Sequence, residues 1–148
     1  MRRALPLLLA IALLAGCGGG AGNDEALTRE EYAAKADAIC GKYKKETESL
    51  ARPEDLSDLA KVADQVSPIL DKAPGELREL KPPADEQVTA TAWLDQFDVI
   101  IDDVAKIRHE AKANDTAGVQ AQAQPALQHN ERANKLATQL GMTVCSKD

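Results

Sequence analysis

The side chains with which this sequence could do chemistry are few: three cysteines, two histidines and a run of aspartates. Asp95, Asp98, Asp102 and Asp103 crowd one segment. Convergent carboxylates could hold a divalent ion, but such a site needs oxygens arranged around a point. At about 100° per residue from Phe97, Asp95, Asp98 and Asp102 turn away from the apolar stripe, together with Lys106 and His109. That pattern describes a solvated helix face, braced by an i,i+4 pair between Asp102 and Lys106. His109 and His129 invite a metal or haem reading, and spacing opposes it. About five and fourteen residues from a shared turn, they are offset by roughly 13 Å along antiparallel helices at about 1.5 Å per residue. Haem attachment through C-x-x-C-H is absent from the sequence, as is the paired Glu-x-x-His of di-iron bundles. So are the G-x-S-x-G nucleophile elbow and, beyond residue 17, any phosphate-cradling glycine loop. No enzyme activity, cofactor or metal is expected.

The cysteines are more informative. Met1-Arg2-Arg3 is a basic start, and Ala4 to Ala15 is an apolar run too short to span a bilayer as a mature helix. It ends in Leu14-Ala15-Gly16-Cys17, which resembles the lipobox of bacterial lipoproteins. The resemblance implies that Cys17 receives a diacylglyceryl group and that the signal peptide, residues 1–16, is cut away. Two acyl chains suffice for stable anchoring where one would be marginal. The competing reading is an ordinary secretory signal with a chance cysteine. Residues 17–27 are glycine-rich at first and read as a flexible tether. The expected location is the extracytoplasmic face of the cell membrane, with the lipid on Cys17 as the membrane contact.

If lipidation takes Cys17, then Cys40 and Cys145 remain as an even pair in an oxidising compartment, where a disulfide is the default. Two free buried thiols are the alternative. A metal site is disfavoured, because neither cysteine has a histidine or a second cysteine at ligand spacing.

These residues must be positioned by a domain over 28–148, and its composition favours helix. Aromatic content is 3%, confined to Trp93, Phe97, Tyr32 and Tyr43, while Ala and Leu dominate the apolar residues. The net charge of −6 becomes about −8 once Arg2 and Arg3 leave with the signal. Such a surface repels nucleic acid.

Four apolar stripes are legible. The first runs from about Thr28 to Ala51 and opens on a capping box, Thr28-Arg29-Glu30-Glu31. The second carries Leu56, Leu59, Ala63, Val66, Leu70 and Leu77 through Pro68 and Pro74 to Lys81-Pro82-Pro83. Its continuity favours a kinked helix over two separate ones. The third, about Asp85 to Ala113, predicts Trp93, Phe97, Ile101 and Val104 among the most buried residues. The fourth spans about Thr116 to Leu140, is kinked by Pro125, and stops at Gly141. Short connections predict an all-α, antiparallel four-helix bundle, up-down-up-down, with proline-kinked helices and one disulfide. That topology carries the tail back toward Cys40.

The whole pattern is similar to small envelope lipoproteins of high-GC Gram-positive bacteria. It has the lipobox, a segment like Glu31-Tyr32-Ala33-Ala34-Lys35-Ala36-Asp37-Ala38-Ile39-Cys40, a Leu-rich middle ending in Leu80-Lys81-Pro82-Pro83, and Leu140-Gly141-Met142 before a last Cys. The resemblance implies a helical domain with one cysteine pair and brings no activity with it. The expected function is a non-enzymatic, membrane-anchored binding or interaction module for an envelope protein or small molecule. The second reading is a small-ligand carrier or sensor with a pocket between helices. Arg108 and Asn130 lie near the inner faces of their helices. They read as satisfied or snorkelling groups, or, more sharply, as the polar lining of such a pocket.

Overall fold

The computed structural model describes residues 26–147, which form four helices: α1 Arg29–Glu48, α2 Leu56–Arg78, α3 Gln87–Lys112 and α4 Thr116–Gln139. Cys17, the signal peptide 1–16 and all of the tether but its last two residues lie outside the described residues. No strand occurs among the described residues.

Each helix starts and stops for a local reason. Thr28 accepts the Glu31 N–H at 3.2 Å while Glu31 accepts the Thr28 N–H at 3.0 Å, the expected capping box. Asp55 caps α2 by accepting the Asp58 N–H at 2.8 Å. Between α3 and α4, Asn114 adopts φ 57°. The Asp115 N–H then reaches Glu110 O, and the Asn114 N–H reaches Ala111 O, which closes a Schellman turn. Asp115 immediately caps α4 through the Gly118 N–H at 2.9 Å. Gly141, at φ 80°, builds a second Schellman turn: the Met142 N–H bonds Ala137 O and the Gly141 N–H bonds Thr138 O. Both α2 and α4 run through their internal prolines, Pro68, Pro74 and Pro125, as single helices.

The helices alternate in direction. Where α1 begins, α2 ends, α3 begins and α4 ends. The Leu27 N–H donates to Lys81 O at 3.0 Å, Arg29 pairs with Glu86 at 2.8 Å, and Arg29 also donates to Gln139 O. α3 packs most extensively, on α4 and α2, whereas α1 packs mainly on α2. The core gathers at this end, where Tyr32, Ala36, Leu77, Trp93, Ala137 and Leu140 are buried. Trp93 is 1% exposed and meets Phe97 edge-to-face at 5.3 Å between centroids. A buried Trp withdraws about 150–250 Å² from water, roughly 4–6 kcal/mol at about 25 cal/mol per Å².

The expected depth of burial holds for Trp93 and not for Phe97, Ile101 and Val104, which are half-buried. The reason is axial. All four share the inward stripe, but the large buried side chains cluster around Trp93, and farther along α3 the buried positions are Asp103 and Ala111. Towards Phe97 the helices leave open space.

Candidate functional site

The tail after α4 is the element sequence reasoning described least. Met142 is buried in the core, and the chain then crosses to α1. Asp37, one turn before Cys40, receives it. Its Oδ2 accepts the Thr143 N–H at 2.8 Å and the Thr143 hydroxyl at 2.9 Å. Its Oδ1 accepts the N–H groups of Val144 at 2.9 Å and Cys145 at 3.0 Å. Burial pushes this carboxyl up, and the N–H donors from Cys145, Thr143 and Val144 outweigh it, so it is held below the usual Asp value. With the tail clamped, Cys40 and Cys145 form the expected disulfide, with Cα atoms 5.3 Å apart and a sequence separation of 105.

The clamped tail becomes one wall of a cleft of about 270 Å³ reached by all four helices. α2 supplies Ile69, Leu70, Ala73 and Leu77, spaced along one helical face. Phe97 of α3 and Val144 of the tail extend the apolar lining. The α1 side adds Cys40, Tyr43, Lys44 and Thr47, and Asn130 of α4 and Lys147 of the tail contribute polar groups. The volume sits just below the usual range of ligand clefts, about 300–1,000 Å³. A shallower hollow over Gln87 to Asp95 is formed by α3 alone.

Tyr43 is fixed by its neighbours. Its hydroxyl donates to Glu76 Oε1 at 2.6 Å, and Lys42 reaches the same oxygen at 2.6 Å. The Lys42 ammonium and then the Tyr43 hydroxyl draw the Glu76 carboxyl below its ordinary value, and the Glu76 bond raises the Tyr43 phenol. Tyr32, deep in the core, has its phenol pushed up to about 12 by burial and by the nearby Glu86 carboxylate.

The sequence-selected residues separate. Asn130 lines the cleft. Arg108 does not join it there. It bonds across α2 and α3, to Asp64 at 3.5 Å and Ser67 at 3.4 Å, beside a Lys112–Asp64 pair at 2.9 Å. Asp98 pairs with Arg78 of α2 and Asp102 with Lys106, while Asp95 is exposed. Asp103, adjacent to these acids, is 4% exposed and bonds His129 Nδ1 at 2.7 Å, tying α3 to α4. No group of three or more His, Cys, Asp or Glu side chains is placed to hold a metal ion among the described residues, and none of their helices is long and apolar enough to cross a membrane.

Asp37 was not singled out by sequence reasoning. The signal that could have found it is its i,i+3 relation to Cys40, which puts the carboxylate on the side of α1 where a bonded tail must arrive. Comparison of the chain with protein-family models, curated proteins and solved structures gave no match.

Proposed function

We propose that the protein is a non-enzymatic, lipid-anchored binding module on the extracytoplasmic face of the membrane, and that it holds a small, largely apolar molecule in the interhelical cleft. The observation that carries the binding half is the cleft itself: all four helices and the disulfide-held tail wall it, and apolar side chains dominate. A concave apolar site with a few placed polar groups is the ordinary form of a small-molecule pocket. The anchoring half rests on Leu14-Ala15-Gly16-Cys17. A protein-docking surface has less support, because the large exposed hydrophobics among the described residues, Val88 at 83% and Leu127 at 58%, stand on different helices.

Native mass spectrometry of protein released from its own envelope tests the binding half. A retained small molecule that is lost in Ala73→Phe, which fills the cleft, supports it. A retained molecule indifferent to that substitution, or a co-purifying protein alone, overturns it. For the anchor, Cys17→Ser should leave the signal uncut or release the protein. A processed Cys17→Ser form that still fractionates with membranes would refute lipidation.

A further inference from the structure

We propose that the tail is a strap closing the cleft along the seam between α1 and α4, and that the Cys40–Cys145 bond is a redox-operated catch on it. This rests on reading the cleft as the ligand site and adds how an occupant enters and leaves. Direct packing closes the seams of α1 with α2, α2 with α3 and α3 with α4. α1 and α4 pack far less on each other, yet both line the cleft, through Tyr43 and Thr47 on one side and Asn130 on the other. The tail crosses this seam. It leaves α4 at Gly141, is rooted by the buried Met142, and then follows α1: Thr143 bonds Asp37, Val144 lies beside Gly41, and Cys145 reaches Cys40. Val144 of the tail and Cys40 of α1 both line the cleft, so the covalent tie sits in its wall.

From Thr143 to Lys147 no residue of the strap is fully buried. Its ties to α1 are the sulfur bond and the four hydrogen bonds accepted by Asp37. The two kinds of tie differ. Hydrogen bonds near a chain end break and re-form in local opening, whereas a disulfide opens only by chemistry. While oxidised, the strap cannot leave α1. Once reduced, it is held closed by Asp37 most of the time but swings away about Met142, and the seam opens. Reduction therefore changes exchange rates far more than affinity. The reductant is a dithiol. One of its thiolates attacks a sulfur of the bond, and the other cysteine leaves and takes up a proton. The second thiol of the dithiol then displaces the first cysteine, which is protonated in turn. Two electrons pass: the dithiol ends as a disulfide, and Cys40 and Cys145 end as two thiols.

The probe for the test is N-phenyl-1-naphthylamine, a neutral apolar dye that brightens on leaving water. Stopped-flow mixing and chase give its association and dissociation rates with the oxidised protein and with protein reduced by dithiothreitol. On reduction both rates should rise about tenfold or more while Kd stays within about twofold, because strap opening limits passage in both directions. Cys40→Ser/Cys145→Ser should exchange the dye fast with or without reductant. Asp37→Ala with the bond intact should keep exchange slow, and adding it to the double variant should weaken Kd about tenfold, because one wall is then lost. Circular dichroism of each sample reads its helix content. Any sample that loses helix is compared again in Gly75→Ala, where a Cβ meets nothing within 4 Å and alanine favours α2. The strap inference is overturned, and the cleft remains a ligand site, by any of three results: oxidised and reduced protein exchange the dye at one rate, oxidised Asp37→Ala exchanges as fast as reduced protein, or the triple variant binds as tightly as the native chain. If the dye binds neither form, or binds Ala73→Phe as it binds the native chain, both this inference and the binding function fall.

Discussion

Removing the Cys40–Cys145 bond should destabilise the domain by an amount set almost wholly in the unfolded chain. The two cysteines are 105 residues apart, and the chain-entropy relation gives about 4.7 kcal/mol for a closed loop of that length. The native state should barely change, because Asp37 holds Thr143, Val144 and Cys145 in place by four hydrogen bonds of its own. Cys40→Ser, Cys145→Ser and the double variant should therefore lose the same stability. Urea unfolding followed by far-UV circular dichroism reads this directly: at an m-value of about 1.5 kcal/mol per M, the midpoint should drop by about 3 M. Amide exchange in the double variant should still show protection at Thr143 and Val144, and adding Asp37→Ala should abolish it. A loss below about 1 kcal/mol would refute the entropic accounting. Unprotected tail amides in the double variant would refute the claim that the carboxylate positions the tail without the sulfur bond.

The Asp37 clamp has a pH signature. Because the folded carboxyl lies below the ordinary Asp value, its contribution is fully present above that value and is lost as pH falls through the folded one. The stability gap between the native chain and Asp37→Asn, measured by urea midpoints, should thus be wide at neutral pH and close in acid. Trp93→Ala should cost about 3–5 kcal/mol, as for other buried large-to-small changes, read by thermal unfolding. Thr28→Ala should cost about 1 kcal/mol through loss of the α1 cap, with the added amide exchange confined to the first turn of that helix. His129→Ala should cost about 1–3 kcal/mol in the same assay, because it strips the buried Asp103 of its partner, whereas Lys106→Ala at the exposed Asp102 pair should give no measurable change.

What the sequence made legible was local or compartmental. Thr28 and Glu31 form their box because both partners lie within four residues, and Gly141 stops α4 because its positive φ suits glycine. The Cys40–Cys145 bond followed from setting Cys17 aside for lipid and expecting the remaining pair to oxidise. Helical periodicity gave the inward face of α3 correctly but could not say how far along that face the core would close. Phe97, Ile101 and Val104 therefore came out half-buried while Trp93 did not. The inter-helix ties were invisible for the same reason: Arg108 with Asp64, Asp103 with His129, and Asp37 with the tail all depend on axial register. Asn130 could be placed on an inner face, but that its neighbours leave a cleft depends on how Ile69, Leu70, Ala73 and Leu77 of α2 stand in register with Phe97 and Val144, which a stripe pattern does not encode.

The staple also sets how the molecule bears mechanical load. Pulling on the chain between residue 26 and residue 147 sends the force through the first part of α1, across the sulfur bond and out through the last residues of the tail. The segment between the cysteines, which are 105 positions apart, lies outside that path, so α2, α3 and α4 carry no tension while the bond holds. Cleaving the bond inserts them, and at about 3.4 Å per extended residue the molecule gains roughly 360 Å of extensible contour. Under a load applied between these two points, the oxidised molecule is short and stiff and the reduced one is a long, compliant strand.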